Sequence, residues 1–360
     1  MDFMPRPAGM LDLFHGMRRT AKRKVRQLLD PDHGASGFGM ILDMGVPIIY
    51  SSSVVAAPLG IAHALPRCRR AVILVYFTMT MESPRQVRKM RQAAVWHRLF
   101  NPGHTLVFLC NTAAEERLLR RAGELAIHLN HNAFISYHAF RPLPPRPILY
   151  DAVYNARLAP FKRHDLSLEI ERCAFIYYHA EQETNASDAS VRKRHAELAP
   201  GHVFVNRLQD GAPVWLSHTE VNEVYNQSAV GLCLSAKEGA MFASMEYMLA
   251  GLPIVSTPSV GGRDVYFDDD YCIIADPDPR AIRDAVAAMK ARAIPRDFIA
   301  ARTREKVTRD RDRLVSLLDE LRARDGRALS PRAELFGPGA RIEWRRWQEF
   351  LDRLPSHAFD

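Results

Sequence analysis

Short apolar runs alternate with helical patterns along most of the chain. In the first half the apolar runs lie at 39–50, 71–81 and 104–110. Between the last two, Ser83-Pro84-Arg85-Gln86 has the form of a capping box with proline in the first helical position, which predicts a helix. Its buried face is expected to carry Val87, Met90, Ala94 and Leu99. Strands that alternate with helices in this way predict an α/β fold with a parallel sheet.

The second half alternates more regularly. Strand-like runs lie at 148–156, 173–180, 202–205, 229–235, 251–257 and 271–276, with helical patterns between them. Four prolines between Arg141 and Pro147 separate the halves and read as a stiff linker. We therefore expect a first domain over 1–145 and a second over 146–330. Trp344, Trp347, Leu351 and Leu354 lie on one face of a helix expected in a tail, 331–360, that packs back on the first domain.

Composition adds compartment and charge to this picture. The 360 residues carry a formal net charge of +8, and five scattered cysteines show no metal-ligand spacing. Scattered cysteines are typical of reduced thiols in a cytoplasmic protein. The N-terminus lacks the layout of a signal peptide. The charge-free stretch 44–66 contains three prolines and three serines, which favours buried strands with a loop over a membrane span.

Much of the positive charge lies in residues 1–30, which hold seven Lys or Arg against three Asp. Apolar residues recur there at helical spacing, so residues 10–30 are expected to form a basic amphipathic helix. Such a helix either contacts an anionic membrane surface or packs on its own domain as a solvated helix. No nucleic-acid-binding module is recognisable, and no strand is followed by a G-x-G-x-x-G fingerprint, which disfavours a nucleic-acid partner and a Rossmann dehydrogenase.

The most informative segment runs from Ser235 to Thr257. Between Gly239 and Gly262, Glu246 is the one charged residue, in a helical stretch of Ala, Met, Phe, Tyr and Leu. A lone carboxylate in a buried helix is costly unless something satisfies it. Ligand hydroxyls would do so, and so would a backbone or serine partner. Glu238 stands eight residues earlier, just before the helix, and the net turn of about 80° is expected to put both carboxylates on the same side. A first helical turn with free N–H groups, suited to phosphate, is expected at Gly239, Ala240, Met241 and Phe242.

This segment resembles the Glu, seven residues, Glu motif of retaining GT-B glycosyltransferases, above all glycosyltransferase family 4. The resemblance continues through 251–257 to Gly261-Gly262-Arg263-Asp264. Residues 154–162, in which four residues separate Arg157 from Lys162, look like the strand and loop that supply an Arg and a Lys to the donor diphosphate. Residues 128–134 resemble the strand and turn that end the first domain. Residues 147–290 carry most of the likeness, and the first 100 carry none.

The resemblance implies a GT-B architecture, with two Rossmann-like parallel-sheet domains facing a cleft. It implies a nucleotide-diphosphate sugar as donor, retention at the anomeric carbon, no assigned nucleophile, no metal and no other cofactor. Arg157 and Lys162 would stabilise the leaving diphosphate, Glu246 would accept ribose hydroxyls, and Glu238 would orient donor-sugar hydroxyls. The catalytic set is therefore Glu238, Arg157 and Lys162. From the residues alone, Arg157 and Lys162 also fit a basic surface run.

Several points stay open. The acceptor is unidentified, and His63, His104 and His138 are candidates for a first-domain histidine at the reacting sugar, with His138 taken for the acceptor side. His128 and His131 have the spacing of a zinc pair but no third ligand, and 268–270 is a run of three acids typical of a solvated turn. Two other functions fit the same chain: a nucleotide-sugar epimerase of the same fold, and a non-catalytic binding protein.

Overall fold

Two six-stranded sheets organise the protein. The computed structural model describes residues 38–42, 48–52, 70–178, 185–323, 336 and 344–345. Among these residues, no helix is both long and apolar enough to cross a membrane. The predicted basic helix at 10–30 lies outside the described residues.

The first sheet has the strand order β14-β1-β2-β3-β4-β5. Its strands are β1 Phe38–Leu42, β2 Ile48–Ser52, β3 Ala71–Tyr76, β4 His104–Cys110, β5 Ala126–His128 and β14 Trp344–Arg345. Strands β2 to β5 are parallel, as the alternating pattern predicts. Strand β1 pairs antiparallel with both β2 and β14, so the run at 39–50 is two strands and the sheet is mixed.

Each face of the first sheet is covered by helices. Helices α1, Pro84–Phe100, and α2, Ala113–Arg121, cover one face. There Val87, Met90 and Ala94 of α1 pack with Leu119 of α2 against alternate residues of β3 and β4. Because successive side chains of a strand point to opposite faces, the intervening residues of β3 and β4 form a second cluster on the other face.

Helix α1 corrects two expectations about its ends. It begins at Pro84 as predicted, but the Ser83 side chain makes no capping hydrogen bond. The Gln86 side chain donates instead to the carbonyl of Thr80, so the capping box is absent. At the other end, Leu99 was expected on the buried face and is 67% exposed, whereas His97 is fully buried. The five-residue step from Ala94 to Leu99 turns the helix by about 500°, which places Leu99 away from the buried face.

The second sheet has the order β13-β12-β11-β6-β7-β8, and all its strands are parallel. They are β6 Tyr150–Asn155, β7 Cys173–Ile176, β8 Val203–Phe204, β11 Ser228–Cys233, β12 Ile254–Ser256 and β13 Cys272–Ile274. The helices of this half are α3 Asn185–Leu198, α4 His218–Asn226, α5 Phe242–Leu249 and α6 Pro279–Ala291. A small hairpin, β9 Leu208–Gln209 with β10 Ala212–Pro213, was not predicted.

The long helix α7, Arg296–Ala323, connects the two halves. Ile299 and Val307 belong to the core of the second half, whereas Leu314, Val315 and Leu318 fill the second cluster of the first sheet. The chain therefore already packs back on the first half in α7, whereas the prediction assigned this contact to the tail.

The tail itself is described at three residues. Phe336 packs beside Phe134 of the first half, with ring centroids 5.6 Å apart. Trp344 and Arg345 form a strand on the edge of the first sheet, so the helix predicted there is wrong at these two residues. The first sheet pairs residues up to His128 and the second begins at Tyr150. The division at 145/146 falls between them and stays a prediction.

Candidate active site

The predicted donor residues follow the carboxyl ends of neighbouring parallel strands. A 3-10 turn, Pro160–Lys162, comes after β6, and the segment from Ser235 to Glu238 comes after β11. Strands β6 and β11 are adjacent in the sheet. In open α/β sheets, ligands bind at this edge because the loops from neighbouring strands meet there.

Lys162 and Glu238 form a buried ion pair. Their residues are 8% and 7% exposed, and Nζ of Lys162 donates to Oε1 of Glu238. The Ser235 hydroxyl donates to the same oxygen at 2.6 Å. The backbone N–H of Glu238 donates to the carbonyl of Val260 at 3.0 Å, which holds the residue in place. An anion that binds Lys162 must therefore compete with the carboxylate of Glu238.

Arg157 lies beside the same lysine. Its guanidinium carbon is 5.4 Å from the ring centre of Phe161, and Nζ of Lys162 is 5.1 Å from that centre. Phe161 is 44% exposed. The two predicted cations thus lie around one ring, in the segment that follows the carboxyl end of β6.

Glu246 sits in a small hydrogen-bond network. Its Oε2 accepts from the hydroxyl of Tyr225 at 2.6 Å and from Nδ2 of Asn155 at 3.4 Å. The Tyr225 hydroxyl itself accepts from Nδ2 of Asn155 at 2.6 Å. Burial raises the pKa of the Glu246 carboxyl to about 7. Both bonds use Oε2, and within the described part of the chain Oε1 has no hydrogen-bond partner.

The segment Gly239–Met241 is not the first turn of a helix. Helix α5 begins at Phe242, and Met241 is its N-cap, without a capping side chain. Glu238 therefore lies outside the helix, and it shares no hydrogen-bond partner with Glu246. The uncapped N–H groups of Phe242 and Ala243 still offer a site suited to an anion.

The first half contacts this site through Asn130, His131 and Asn132, whose role in this contact the sequence did not predict. Nδ2 of Asn130 donates to the carbonyl of Gly262 at 2.6 Å, and Nδ2 of Asn132 donates to that of Met241 at 3.1 Å. The ring of His131 lies 4.7 Å from that of Phe242. All three fall in 128–134, the strand and turn singled out by the resemblance. Three consecutive side chains of one turn therefore form part of the contact between the halves.

Glycines allow the halves to approach so closely. A Cβ on Gly239 would lie 2.7 Å from the backbone of Thr78. A Cβ on Gly262 would lie 2.6 Å from Cβ of Asn111 and from Nδ2 of Asn130. Gly261 has φ of 111°, which favours glycine, and a Cβ there would meet the carbonyl of Glu238.

The histidine candidates are placed differently from expectation. His138 is exposed, its ring lies 4.6 Å from that of Tyr137, and its N–H donates to Ser136. These contacts are within its own turn and do not bring it to the donor residues. His104 is buried and hydrogen-bonded to His97 at 3.0 Å. His63 lies outside the described residues.

His131 is the histidine that meets the second half. Its Nδ1 lies 3.0 Å from the carbonyl of Phe77. Burial lowers its pKa to about 4, so the ring is neutral at neutral pH. The sequence considered His131 only as a zinc pair with His128. Among the residues that the structure describes, no cluster of three or more His, Cys, Asp or Glu side chains could hold a metal ion.

Two arginines fix the loops that carry the site. The Arg263 side chain is fully buried and donates to the carbonyls of Cys233, Ser235 and Thr257. Arg163 donates to the carbonyl of Leu234 and to the hydroxyl of Thr257, each at 2.6 Å. Sequence reasoning missed both roles, because an arginine in a loop gives no sign that it will be buried.

The run of acids at 268–270 is structural. Asp268 pairs with Lys306 at 2.8 Å and with Arg302 at 3.5 Å. The hydrogen bond from Lys306 lowers the pKa of the Asp268 carboxyl. Asp268 thus ties the turn to α7.

Comparison with known proteins shows what this part of the chain is similar to. Residues 184–291, which include Glu238 and Glu246, match the family model described as glycosyl transferases group 1. The chain has the GT-B glycosyltransferase fold. Among curated proteins, none matches the sequence significantly.

Solved structures with this fold share little sequence with the chain. Sucrose-phosphate synthase from Thermosynechococcus elongatus superimposes with a TM-score of 0.57 at 14% identity, over 78% of this chain and 74% of that one. The α,α-trehalose 6-phosphate synthase from Burkholderia multivorans gives 0.53 at 14% identity, over 87% and 78%. HepE from Anabaena, in complex with UDP, gives 0.50 at 12% identity, over 76% and 78%.

Proposed function

We propose that the protein is a retaining, metal-independent glycosyltransferase of the family 4 type, which moves a sugar from a nucleotide-diphosphate donor to an acceptor hydroxyl without a bound cofactor. The observation that carries the proposal is the meeting of Arg157, Lys162 and Glu238 at one edge of the second sheet. Two cations and a carboxylate at that edge, facing the first half, suit a diphosphate joined to a sugar.

Each part of the donor has a matching group. The diphosphate lies between Arg157, Lys162 and the uncapped N–H groups at Phe242, with Gly239, Ala240 and Met241 leading into that turn. Glu246 accepts ribose hydroxyls through Oε1, since Tyr225 and Asn155 already occupy Oε2. Glu238, once released from Lys162, accepts hydroxyls of the donor sugar. The acceptor enters from the first half, where His138 remains the residue proposed for its side.

The proposal includes retention by front-face attack, with no protein nucleophile. Glu238 is assigned to donor-sugar hydroxyls and Glu246 to ribose hydroxyls, so neither carboxylate is assigned to attack the anomeric carbon. In the proposed step the acceptor oxygen bonds to the anomeric carbon while the bond to the diphosphate oxygen breaks. The departing diphosphate keeps the electron pair and takes the acceptor proton, and Arg157 and Lys162 stabilise its charge.

Uridine diphosphate sugars are the first donors to test. The HepE structure holds UDP, and the trehalose-phosphate synthase from Burkholderia vietnamiensis, with a TM-score of 0.51 at 15% identity, is described as UDP-forming. These ligands belong to those proteins, so a panel should also include GDP, ADP, CMP and dTDP sugars.

Calorimetry of the matching nucleoside diphosphate tests the donor site. Lys162→Ala should weaken binding at least tenfold, because a buried charge-assisted contact to phosphate is lost. Lys193→Ala, an exposed lysine on α3, is the matched control and should bind as wild type does. Equal affinity in Lys162→Ala and wild type would overturn the diphosphate assignment.

Product analysis separates the remaining alternatives. Proton NMR of the product should show the anomeric configuration of the donor, and an inverted product would contradict retention. Conversion of the nucleotide sugar with no acceptor present would identify an epimerase. Absence of turnover on every donor that binds would favour the non-catalytic binding protein.

We also propose a cytoplasmic location with residues 10–30 in contact with the inner membrane surface. The support is the excess of cations in that segment. Sedimentation with anionic vesicles should be weaker for Lys22→Glu/Lys24→Glu than for wild type, and equal sedimentation would contradict this contact.

A further inference from the structure

The outer side of α1 is basic over most of its length. The helix contains five Lys or Arg and no Asp or Glu. Arg98 is paired with the buried Glu124. The other four, Arg85, Arg88, Lys89 and Arg91, are exposed, and none forms an ion pair within the part of the chain that the structure describes.

Two large aliphatic residues lie on the same side of α1. Val95 is 53% exposed and Leu99 is 67% exposed. Arg88, Val95 and Leu99 are spaced by seven and four residues, so they form one stripe along the helix. Single exposed aliphatic residues are common. A stripe that joins unpaired cations to exposed aliphatic side chains is typical of helices that lie in a membrane interface.

Helix α2 extends this surface. Arg117 and Arg121 are exposed, and α2 packs beside α1 in the cluster that covers the same face of the first sheet. The two helices are therefore one layer, with a common outer side. We call Arg85, Arg88, Lys89, Arg91, Val95, Leu99, Arg117 and Arg121 the α1/α2 face.

We propose that the α1/α2 face docks the protein on an anionic phospholipid bilayer. Its cations match acidic headgroups, each attracted from within about a Debye length of the surface. Val95 and Leu99 match the boundary between headgroups and acyl chains, where apolar side chains leave water. Nucleic acid would pair with the cations but would leave both aliphatic residues without a complementary surface.

The placement of α1 connects this surface to the cleft. Helix α1 follows directly on residues 77–82, and Thr78 and Thr80 of that segment lie against Gly239 and Gly261. The basic N-terminal half of α1 is therefore the part closest to the donor site. A protein seated on this face would hold its cleft beside the bilayer. This last point rests on the proposed function, whereas the docking itself does not.

Vesicle sedimentation of the full chain tests the proposal, with phosphatidylcholine vesicles that contain or lack phosphatidylglycerol. Wild type should bind the phosphatidylglycerol vesicles, and added salt should weaken binding. Arg88→Glu/Arg91→Glu and Val95→Asn/Leu99→Asn should each lower the partition coefficient about tenfold or more. Both pairs leave residues 10–30 unchanged.

A charge-matched control lies on the second half. Arg207→Glu/Arg304→Glu reverses two exposed arginines and should change the partition coefficient less than about twofold. An equal loss in this control would show a net-charge effect and overturn the proposal. The proposal would also be overturned if either α1 variant bound vesicles as tightly as wild type does, or if wild type bound no vesicles. If vesicle binding fell only in the arginine variant, nucleic acid would be favoured as the partner. Binding of a single-stranded oligonucleotide would then be measured.

Two readouts keep the test independent of the donor site. Thermal unfolding followed by circular dichroism shows that each variant is folded. Binding of nucleoside diphosphate should be unchanged in all variants, because none of the substituted residues touches Lys162, Glu238 or Glu246. If vesicle binding follows the expected pattern while no nucleotide binds, the docking surface stands and the proposed function falls.

Discussion

At the scale of single residues, the pairing of Lys162 with Glu238 has a consequence for ligand affinity. The same lysine that would bind phosphate is neutralised by a carboxylate and held from solvent. A ligand anion must displace that carboxylate and therefore binds less tightly than it would to a free lysine. The ion pair thus sets the resting state of the site.

Glu238→Gln should separate binding from transfer. A neutral amide competes less for Lys162, so the affinity for pyrophosphate should rise about three- to tenfold, equivalent to about 0.7–1.4 kcal/mol. Sugar transfer should fall, since the proposed contact with donor hydroxyls loses its charge. Calorimetry with pyrophosphate and a transfer assay measure the two effects. A loss of affinity as large as that of Lys162→Ala would contradict the competition between the two anions.

Glu246 gives the protein a pH dependence near neutrality. Its folded-state pKa of about 7 lies above the ordinary value of 4.5 because the carboxyl is buried. The raised pKa of Glu246 therefore adds to the free energy of unfolding in full below pH 4.5, and this contribution is lost as the pH rises through about 7. Between pH 6 and pH 8 the loss is about 1.4 kcal/mol.

Glu246→Gln should remove this dependence. Relative to the variant, wild type should lose about 2 °C in melting temperature between pH 6 and pH 8. Glu305→Gln, an exposed glutamate on α7, is the control and should follow wild type. Parallel melting curves for wild type and Glu246→Gln across this range would refute the raised pKa.

At the scale of elements, the loops after β11 and β12 are held by a side chain and not by regular structure. Arg263 donates to a carbonyl from each side of the Cys233–Ser235 turn and to Thr257 after β12. It also pairs with Asp264 at 2.7 Å. The buried guanidinium of Arg263 therefore helps to hold the segment that presents Ser235 and Glu238 to Lys162, together with Arg163 and the backbone bond from Glu238 to Val260.

Arg263→Met should destabilise the protein and loosen the site together. Removing the guanidinium leaves the Ser235 carbonyl without a donor among the described residues, takes one donor from the carbonyls of Cys233 and Thr257, and unpairs Asp264. We expect a cost of about 3–5 kcal/mol in the free energy of unfolding. Urea unfolding measures this loss, and nucleoside diphosphate affinity should fall with it. Arg292→Met, which removes bonds to the exposed carbonyls of residues 269 and 270, should cost less than about 1 kcal/mol. Equal stabilities for the two variants would contradict the anchoring role.

Elements were predictable where a local pattern decides them. The apolar runs at 71–81 and 104–110 became strands, and Asp278 caps α6 as its sequence suggests, accepting from the N–H groups of Arg280 and Ala281. The antiparallel pairing of β1 depends on a partner some 300 residues away, Trp344. No periodicity within either segment could reveal it.

In the site, too, the sequence predicted those residues that a local pattern or a resemblance marks. Glu246 stood out as a charge in an apolar helix, and Arg157 and Lys162 through the resemblance of their segment. Tyr225 and Asn155 could not be found, because their roles depend on which residue the fold places opposite. Leu99 was expected inside, but its spacing places it on the stripe of Arg88 and Val95, which faces outward.

At the scale of the whole molecule, the contact between the halves depends on glycine. Gly262→Ala would place a methyl group 2.6 Å from both Asn111 and Asn130, so the halves should separate. Small-angle X-ray scattering should show a larger radius of gyration. Diphosphate affinity should change less than about threefold, since Arg157, Lys162 and Glu238 all belong to the second half. Gly123→Ala is the control: its φ of 86° strains an alanine locally, but the added Cβ meets nothing within 4 Å, so the wild-type radius should remain. An unchanged radius in Gly262→Ala would contradict this account.

Helix α7 decides whether either half can exist by itself. At 28 residues it is about 42 Å long. Its Ile299 packs in the core of the second half, and its Leu314 packs in the core of the first half. A fragment cut at the proline-rich segment would leave Leu74 and Leu109 facing water. The halves could therefore not be exchanged between relatives as separate modules, because each transplant must bring its portion of the same helix.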